Sequence, residues 1–179
     1  METFIATISG FIIAFFAEPV KIHYQHKAKL HNLRVALYKE LLNNYYALTH
    51  FTVESLSDLF SPEYVAQHEL RTECYKQTLQ NDISLLYQLV EANAINVLYS
   101  QIDKIMSLTS HLTSTLGKRG MKKSSPPIFT QFSNTFKYMF VASFYLRTFD
   151  ARILKSLVTQ EQYQEIMTRG KEESEKTKQ

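Results

Sequence analysis

Residues 30–59 read LHNLRVALYKELLNNYYALTHFTVESLSDL. Leu30, Leu33, Leu37, Leu41, Tyr45, Leu48, Thr52, Leu56 and Leu59 recur in this stretch at a mean spacing of about 3.6 residues, the period of a straight α-helix. A left-handed coiled coil would hold its apolar seam to ~3.5 instead. The pattern therefore predicts one helix packing a single face into a globular bundle. It predicts that helix over Val20–Phe60, since nothing between those residues breaks it.

C-terminal to this stretch the same period returns three times. Ser61-Pro62 reads as an N-cap followed by proline at the first helical position, opening a helix over about Pro62–Leu79. Asn81-Asp82 is a weak restart. Ile83, Leu86, Val90, Ala94, Val97, Ile102, Ile105, Leu108, Leu112 and Leu116 then give a third long helix, stopped by Gly117. Gly117–Pro127 holds two glycines, two serines and two prolines and reads as a loop. A fourth long helix is expected from about Ile128 to Val158, with Phe129, Phe132, Phe136, Phe140, Leu146, Phe149, Ile153 and Leu157 inside. Thr159 with Gln162 three positions on forms a capping box for a short last helix. Gly170 ends it, and the tail KEESEKTKQ reads as disordered and charged.

N-terminal to the opening stretch the chemistry changes. Residues 18–39 carry Lys21, Lys27, Lys29, Arg34 and Lys39 against Glu18, a net of +4 in a chain of formal charge +3. Before them, Phe4–Ala17 is apolar except for Thr7 and Ser9. On a helical wheel, Thr3, Ala6, Thr7, Gly10, Ala14 and Ala17 make a small face. Phe4, Ile5, Ile8, Phe11, Ile12, Phe15 and Phe16 make a bulky one. Neither face suits water. Ala6, Gly10 and Ala14 follow the small-xxx-small spacing that lets membrane helices approach closely. The expected reading is a membrane anchor that self-associates through the small face, ended by Glu18-Pro19. Met1–Ala17 reaches about 25 Å at ~1.5 Å per residue, short for a ~30 Å hydrocarbon core. A secretory signal and a core helix of a soluble bundle stay open as alternatives.

The fold expectation is thus all-α: an N-terminal apolar membrane-anchor helix followed by a bundle of three to four long helices. Its expected divisions are 1–18 membrane-embedded, 19–169 a cytosolic bundle and 170–179 a disordered tail. The positive-inside rule puts the basic segment, and with it the body, on the cytoplasmic face of the cell (inner) membrane.

Composition excludes much. With 179 residues, 45% hydrophobic and 21% charged, the chain is one domain able to fold, not a disordered one. Cys74 alone allows neither an internal disulfide framework nor a cysteine zinc finger. It has no activating neighbour in sequence and reads as a structural or surface thiol. His23, His26 and His31 lack a convergent Asp or Cys, so no metal site is expected. No P-loop, nucleophile elbow, H-E-x-x-H or dinucleotide fingerprint occurs, and no E-x-x-H pair marks a di-metal bundle. Catalytic residues and cofactors are therefore expected to be none, and the protein is read as non-enzymatic. Tyr45, Tyr46 and Tyr138 are candidates for lining a pocket.

The residues assigned to an anionic lipid surface are Lys21, Lys27, Lys29, Arg34, Lys118, Arg119, Lys122 and Lys123. For the last four, topology decides. They lie near the headgroups if Pro62–Leu116 returns toward the membrane, and far from them if Ile83–Leu116 runs outward. The basic residues follow no nucleic-acid motif, so nucleic acid is not expected as a partner. The expected partners are an anionic membrane, further copies of the chain and a protein bound by the bundle. A membrane-acting effector is the sharpest form of this reading. A scaffold that tethers another protein at the inner membrane is the first alternative, and a soluble helical domain with its first helix in the core is the second.

Overall fold

The computed structural model describes the backbone of residues 2–52, 69–115 and 127–176, and side chains within 17–49, 69–110 and 128–176. Every described element is a helix: α1 Glu2–Thr52, α2 Glu73–Asn81, α3 Ile83–Tyr87, α4 Ala92–Thr115, α5 Pro127–Tyr145, α6 Ala151–Leu157 and α7 Gln160–Lys176. The expected Ser61-Pro62 cap lies outside the described residues, and the helix expected over about Pro62–Leu79 is not continuous: residues 70–72 are not helical and α2 begins only at Glu73.

Helix α1 carries the pattern that opened the reading. Leu37, Leu41, Tyr45 and Leu48 are buried, with Leu30 and Leu33 packed at the edge of the same cluster. Side-chain pairings along α1 give the direction of everything else. Asn44 grips Arg71, Glu40 grips Cys74 and Tyr75, and His26 reaches Gln88, so residues 71–88 run back toward the start of α1. Glu91 lies at Arg34 and Tyr38 and Tyr99 at Glu40, so α4 runs forward. Phe140 stacks on Tyr45 and Phe144 meets Tyr38, so α5 runs back. Tyr138 meets Glu173 and Val141 faces Gly170, so α7 runs forward again. Helix α5 is central, packing on α1, α4 and α7.

An aromatic seam fills the space between α1 and α5. Tyr45 stacks on Phe140 with centroids 5.0 Å apart. Phe140 and Phe144 meet edge to face at 5.3 Å, and Tyr38 stacks on Phe149 at 4.7 Å. Such pairs add about 0.5–1.5 kcal/mol each beyond their buried area. Of the phenylalanines read as core from their spacing, Phe129, Phe136, Phe140 and Phe149 are buried and Phe132 packs partly buried against them, and the capping box at Thr159 and Gln162 forms as expected.

Four further expectations need correction. First, α1 does not end at Glu18-Pro19; it passes through Pro19. A proline removes one helical hydrogen bond and crowds the preceding turn, a cost of ~3 kcal/mol rather than a prohibition, and the residues on both sides continue the helix.

Second, Ile83–Leu116 is not one helix. The chain turns at residues 88–91, leaving Val90 95% exposed and Glu91 4% exposed. The turn sends the Glu91 carboxylate inward to Arg34, a partner 57 residues away.

Third, Ile128–Val158 breaks after Tyr145. Arg147 adopts φ 60°, its N–H donates to the Phe144 carbonyl at 3.1 Å, and the Phe149 N–H donates to the Ser143 carbonyl at 2.9 Å. This swings Phe149 under Tyr38 and leaves Leu146 60% exposed instead of inside. Asp150 caps the new helix through the Arg152 N–H. A left-handed conformation costs an L-residue about 1–2 kcal/mol, while glycine gives back ~0.5–1 kcal/mol to chain entropy. Arg147→Gly is therefore expected to stabilise the fold by about 0.5–1 kcal/mol, read as a higher urea midpoint with unchanged slope.

Fourth, the tail is not disordered from residue 170. Helix α7 continues to Lys176 with Gly170 and Ser174 buried. Gly170 sits so close to α5 that a Cβ there would lie 2.5 Å from the Val141 carbonyl oxygen and 2.9 Å from Tyr145 Cβ. The glycine marks a helix-helix contact, not a stop.

Candidate functional site

The turns at 88–91 and 146–150 lie at one end of the bundle, and from that end residues 17–29 of α1 protrude as a stalk. Every side chain in the stalk is exposed except the half-buried His26. Lys21, Lys27 and Lys29 stand free of ion pairs closer than 4 Å among the described residues. Val20, Ile22 and Tyr24 are exposed beside them, Tyr24 at 68%. His26 Nε2 donates to the Gln88 Oε1 at 2.6 Å, the contact nearest the stalk.

Arg34 has a different task from the one its place in the basic segment suggested. Its guanidinium pairs with both oxygens of Glu91, Nη2 donating to Oε2 at 3.2 Å and Nε to Oε1. The Tyr38 hydroxyl donates to Glu91 Oε1 at 3.0 Å and accepts the Asp150 N–H at 3.0 Å. Burial, reinforced by the Glu91 charge, pushes the Tyr38 phenol far above its ordinary range. It stays a neutral donor at any physiological pH. One tyrosine on α1 thus fastens both turns side by side, and Arg34 balances the buried carboxylate.

A second buried carboxylate, Glu40, lies further along α1, beyond Arg34 and Tyr38. Glu40 accepts the backbone N–H groups of Cys74 at 2.8 Å and Tyr75 at 3.2 Å, and the Tyr99 hydroxyl at 2.7 Å. It serves as an N-terminal cap for α2 supplied from another helix, where an anion meets the positive end of the helix dipole. Asn44 completes the row, donating to the Arg71 carbonyl and accepting the Arg71 N–H, each at 2.8 Å. Burial raises the pKa of the Cys74 thiol, and Glu40 adds to the effect. Both effects disfavour the thiolate, the reactive form of a cysteine.

Two open grooves mark the flanks. One, of about 530 Å³, lies between α4 and α5 with Asp103, Lys104 and Phe132 in its wall. The other, of about 640 Å³, lies between α5 and α7 and includes Tyr45 and Tyr138, two of the three tyrosines read as pocket candidates, with Lys137, Arg169 and Glu172. Burial, then the Arg169 charge, lowers Lys137 to about 8. The second groove offers both signs of charge on a partly apolar wall.

Of the residues assigned in the sequence to membrane surface and helix association, the structure brings Lys21, Lys27, Lys29 and Ala17 onto the exposed stalk and takes Arg34 into the bundle. The side chains of Thr3, Ala6, Thr7, Gly10 and Ala14 lie outside the described residues, as do Lys118, Arg119, Lys122 and Lys123. Helix α4 leads to Thr115 away from the stalk, and α5 starts back from Pro127, so the flanks of that basic segment lie at the end opposite the stalk. Among the described residues, no group of three or more His, Cys, Asp or Glu could hold a metal ion. Among them too, no helix is long and apolar enough to cross a membrane. The sequence reading missed Tyr38, Glu40, Asn44 and Tyr99, whose polar atoms find their partners only in the folded chain.

Compared with protein-family models, curated proteins and solved structures, the chain matches none.

Proposed function

We propose that this is a membrane-attached helical protein that acts by association rather than catalysis. The apolar N-terminal segment would anchor it and associate with further copies. The bundle would present a surface to a protein partner on the cytoplasmic side. A membrane-acting effector is the sharper version of this proposal.

One observation carries it: the exposed stalk. A first helix belonging to the core would run along the bundle, yet residues 17–25 are all exposed and His26, at Gln88, is the first side chain of α1 among the described residues to meet it. The backbone continues as helix to Glu2, about 40 Å along the axis from Leu30 at ~1.5 Å per residue. The sequence there is Phe- and Ile-rich, so such an extension needs lipid or further copies of the chain to cover it. Energetically the anchor is modest. Each Phe or Ile contributes about 0.3–0.6 kcal/mol toward insertion, and each lysine close to an anionic surface about 1 kcal/mol.

The test is fractionation of the full chain beside a version lacking residues 1–18, with an alkaline carbonate wash. The full chain is expected in the washed membrane pellet and the shortened one in the supernatant. If both stay in the supernatant, the anchor proposal fails. If the pellet holds the full chain, Gly10→Leu should weaken self-association in detergent. Unchanged association would remove the small face from the proposal.

A further inference from the structure

We infer that the stalk-side end of the bundle is a second membrane contact, in which Tyr87, Val90 and Leu146 enter an anionic lipid surface beside Lys27 and Arg147. This rests on the anchor proposal above and goes beyond it, because it assigns a docking face to the folded bundle itself.

Three observations converge on that end. The first is exposed apolar surface placed at turns. Val90 is 95% exposed, Leu146 60% and Tyr87 59%. Val90 and Leu146 stand at chain reversals where nothing within the chain requires an apolar side chain. Both turns are clamped to the same tyrosine, Tyr38, through Glu91 and Asp150. The two apolar tips are thereby held at the same end of the bundle.

The second observation is charge. Lys27, Lys29 and Arg147 are exposed around these tips. Of the acids nearby, Glu91 is held by Arg34 and Asp150 pairs with Arg152, while Asp82 caps α3 and Glu18 and Glu161 are exposed. Lys21, Lys27, Lys29, Arg147 and Lys155, exposed and in no ion pair among the described residues, outnumber those last three, so the balance at this end is positive, which suits anionic headgroups. The third is continuity. The same end carries the stalk, with Val20, Ile22 and Tyr24 exposed, and the stalk runs into the apolar segment. Exposed apolar side chains at loop tips, rimmed by basic ones and adjoining a membrane-seeking helix, fit an interfacial lipid surface.

The sequence contains no tryptophan, so a single introduced one reports alone. Full-length Val90→Trp, Leu146→Trp and Glu175→Trp would be mixed with vesicles of phosphatidylcholine and phosphatidylserine carrying brominated acyl chains. All three should sediment with the vesicles. The emission of the Val90→Trp and Leu146→Trp proteins should shift to the blue and be quenched. The Glu175→Trp protein, at the far end of α7, should show neither change. Removing phosphatidylserine should reduce the quenching.

Sedimentation of all three without quenching at either turn would overturn the docking face and leave the anchor proposal intact. Equal quenching of all three would also overturn it, as bundle-wide burial. A blue shift that grows with protein concentration in the absence of vesicles would assign the face to a second copy and overturn the lipid contact. Failure of every variant to sediment would remove the anchor proposal, and the docking face with it.

Discussion

Glu40→Ala is expected to destabilise the protein by about 3–5 kcal/mol, the cost of leaving several buried donors without their anion. Glu40 joins three elements at one point. It caps α2 by accepting from Cys74 and Tyr75, it accepts from Tyr99 on α4, and it sits on α1. Removing it leaves two backbone N–H groups and a buried phenol unsatisfied. For a domain whose whole stability is typically ~5–15 kcal/mol, that is a large share. The measurement is chemical denaturation, followed by far-ultraviolet circular dichroism. Tyr99→Phe should cost less, about 1–2 kcal/mol, because it removes one donor and leaves Glu40 with its backbone partners. Since the residues touch, the double variant should cost less than the sum of the two single ones. Strict additivity would show that the 2.7 Å contact contributes nothing to stability.

Gly170→Ala should also destabilise the protein, although alanine is normally the better helix former by about 1 kcal/mol. The new Cβ would overlap the Val141 carbonyl and Tyr145 Cβ, so α7 and α5 must separate. Overpacking of this kind costs about 1–3 kcal/mol, and here the obstacle includes backbone, which yields less readily than a side chain. The expected readout is a lower denaturation midpoint together with faster amide exchange in residues 166–176. Gly170→Leu should worsen both. A Gly170→Ala protein as stable as the parent would mean that the helices part without cost.

Local periodicity made the scaffold readable. Leu33 to Leu48 and Phe129 to Phe140 repeat with the helical period because one face of each helix meets a continuous core. Thr159 and Gln162 form their cap between near neighbours. The reading failed where a distant residue decides the local path. Val90 and Leu146 have the spacing of core positions, yet both stand at turns. One turn forms because Glu91 meets Arg34, the other because Phe149 reaches Tyr38. Gly170 reads as a helix terminator by propensity, and only the closeness of Val141 reveals its use. The candidate site was half legible. Charge and hydropathy mark the stalk, but Arg34 looks like one more surface cation until Glu91 is placed beside it.

The passage of α1 through Pro19 has a mechanical consequence. A helix is a stiff rod wherever its backbone bonds are complete, and at a proline one of them is missing. Bending strain imposed between the tip of the rod and its base concentrates at that turn, as in a flexure between two rigid arms. A change in the tilt of residues 2–18 can then be absorbed at Pro19 without twisting the clamped turns at the base. On the docking proposed above, the attitude of the bundle to its surroundings would be set by the contacts at its own end, and the rod would supply reach rather than leverage.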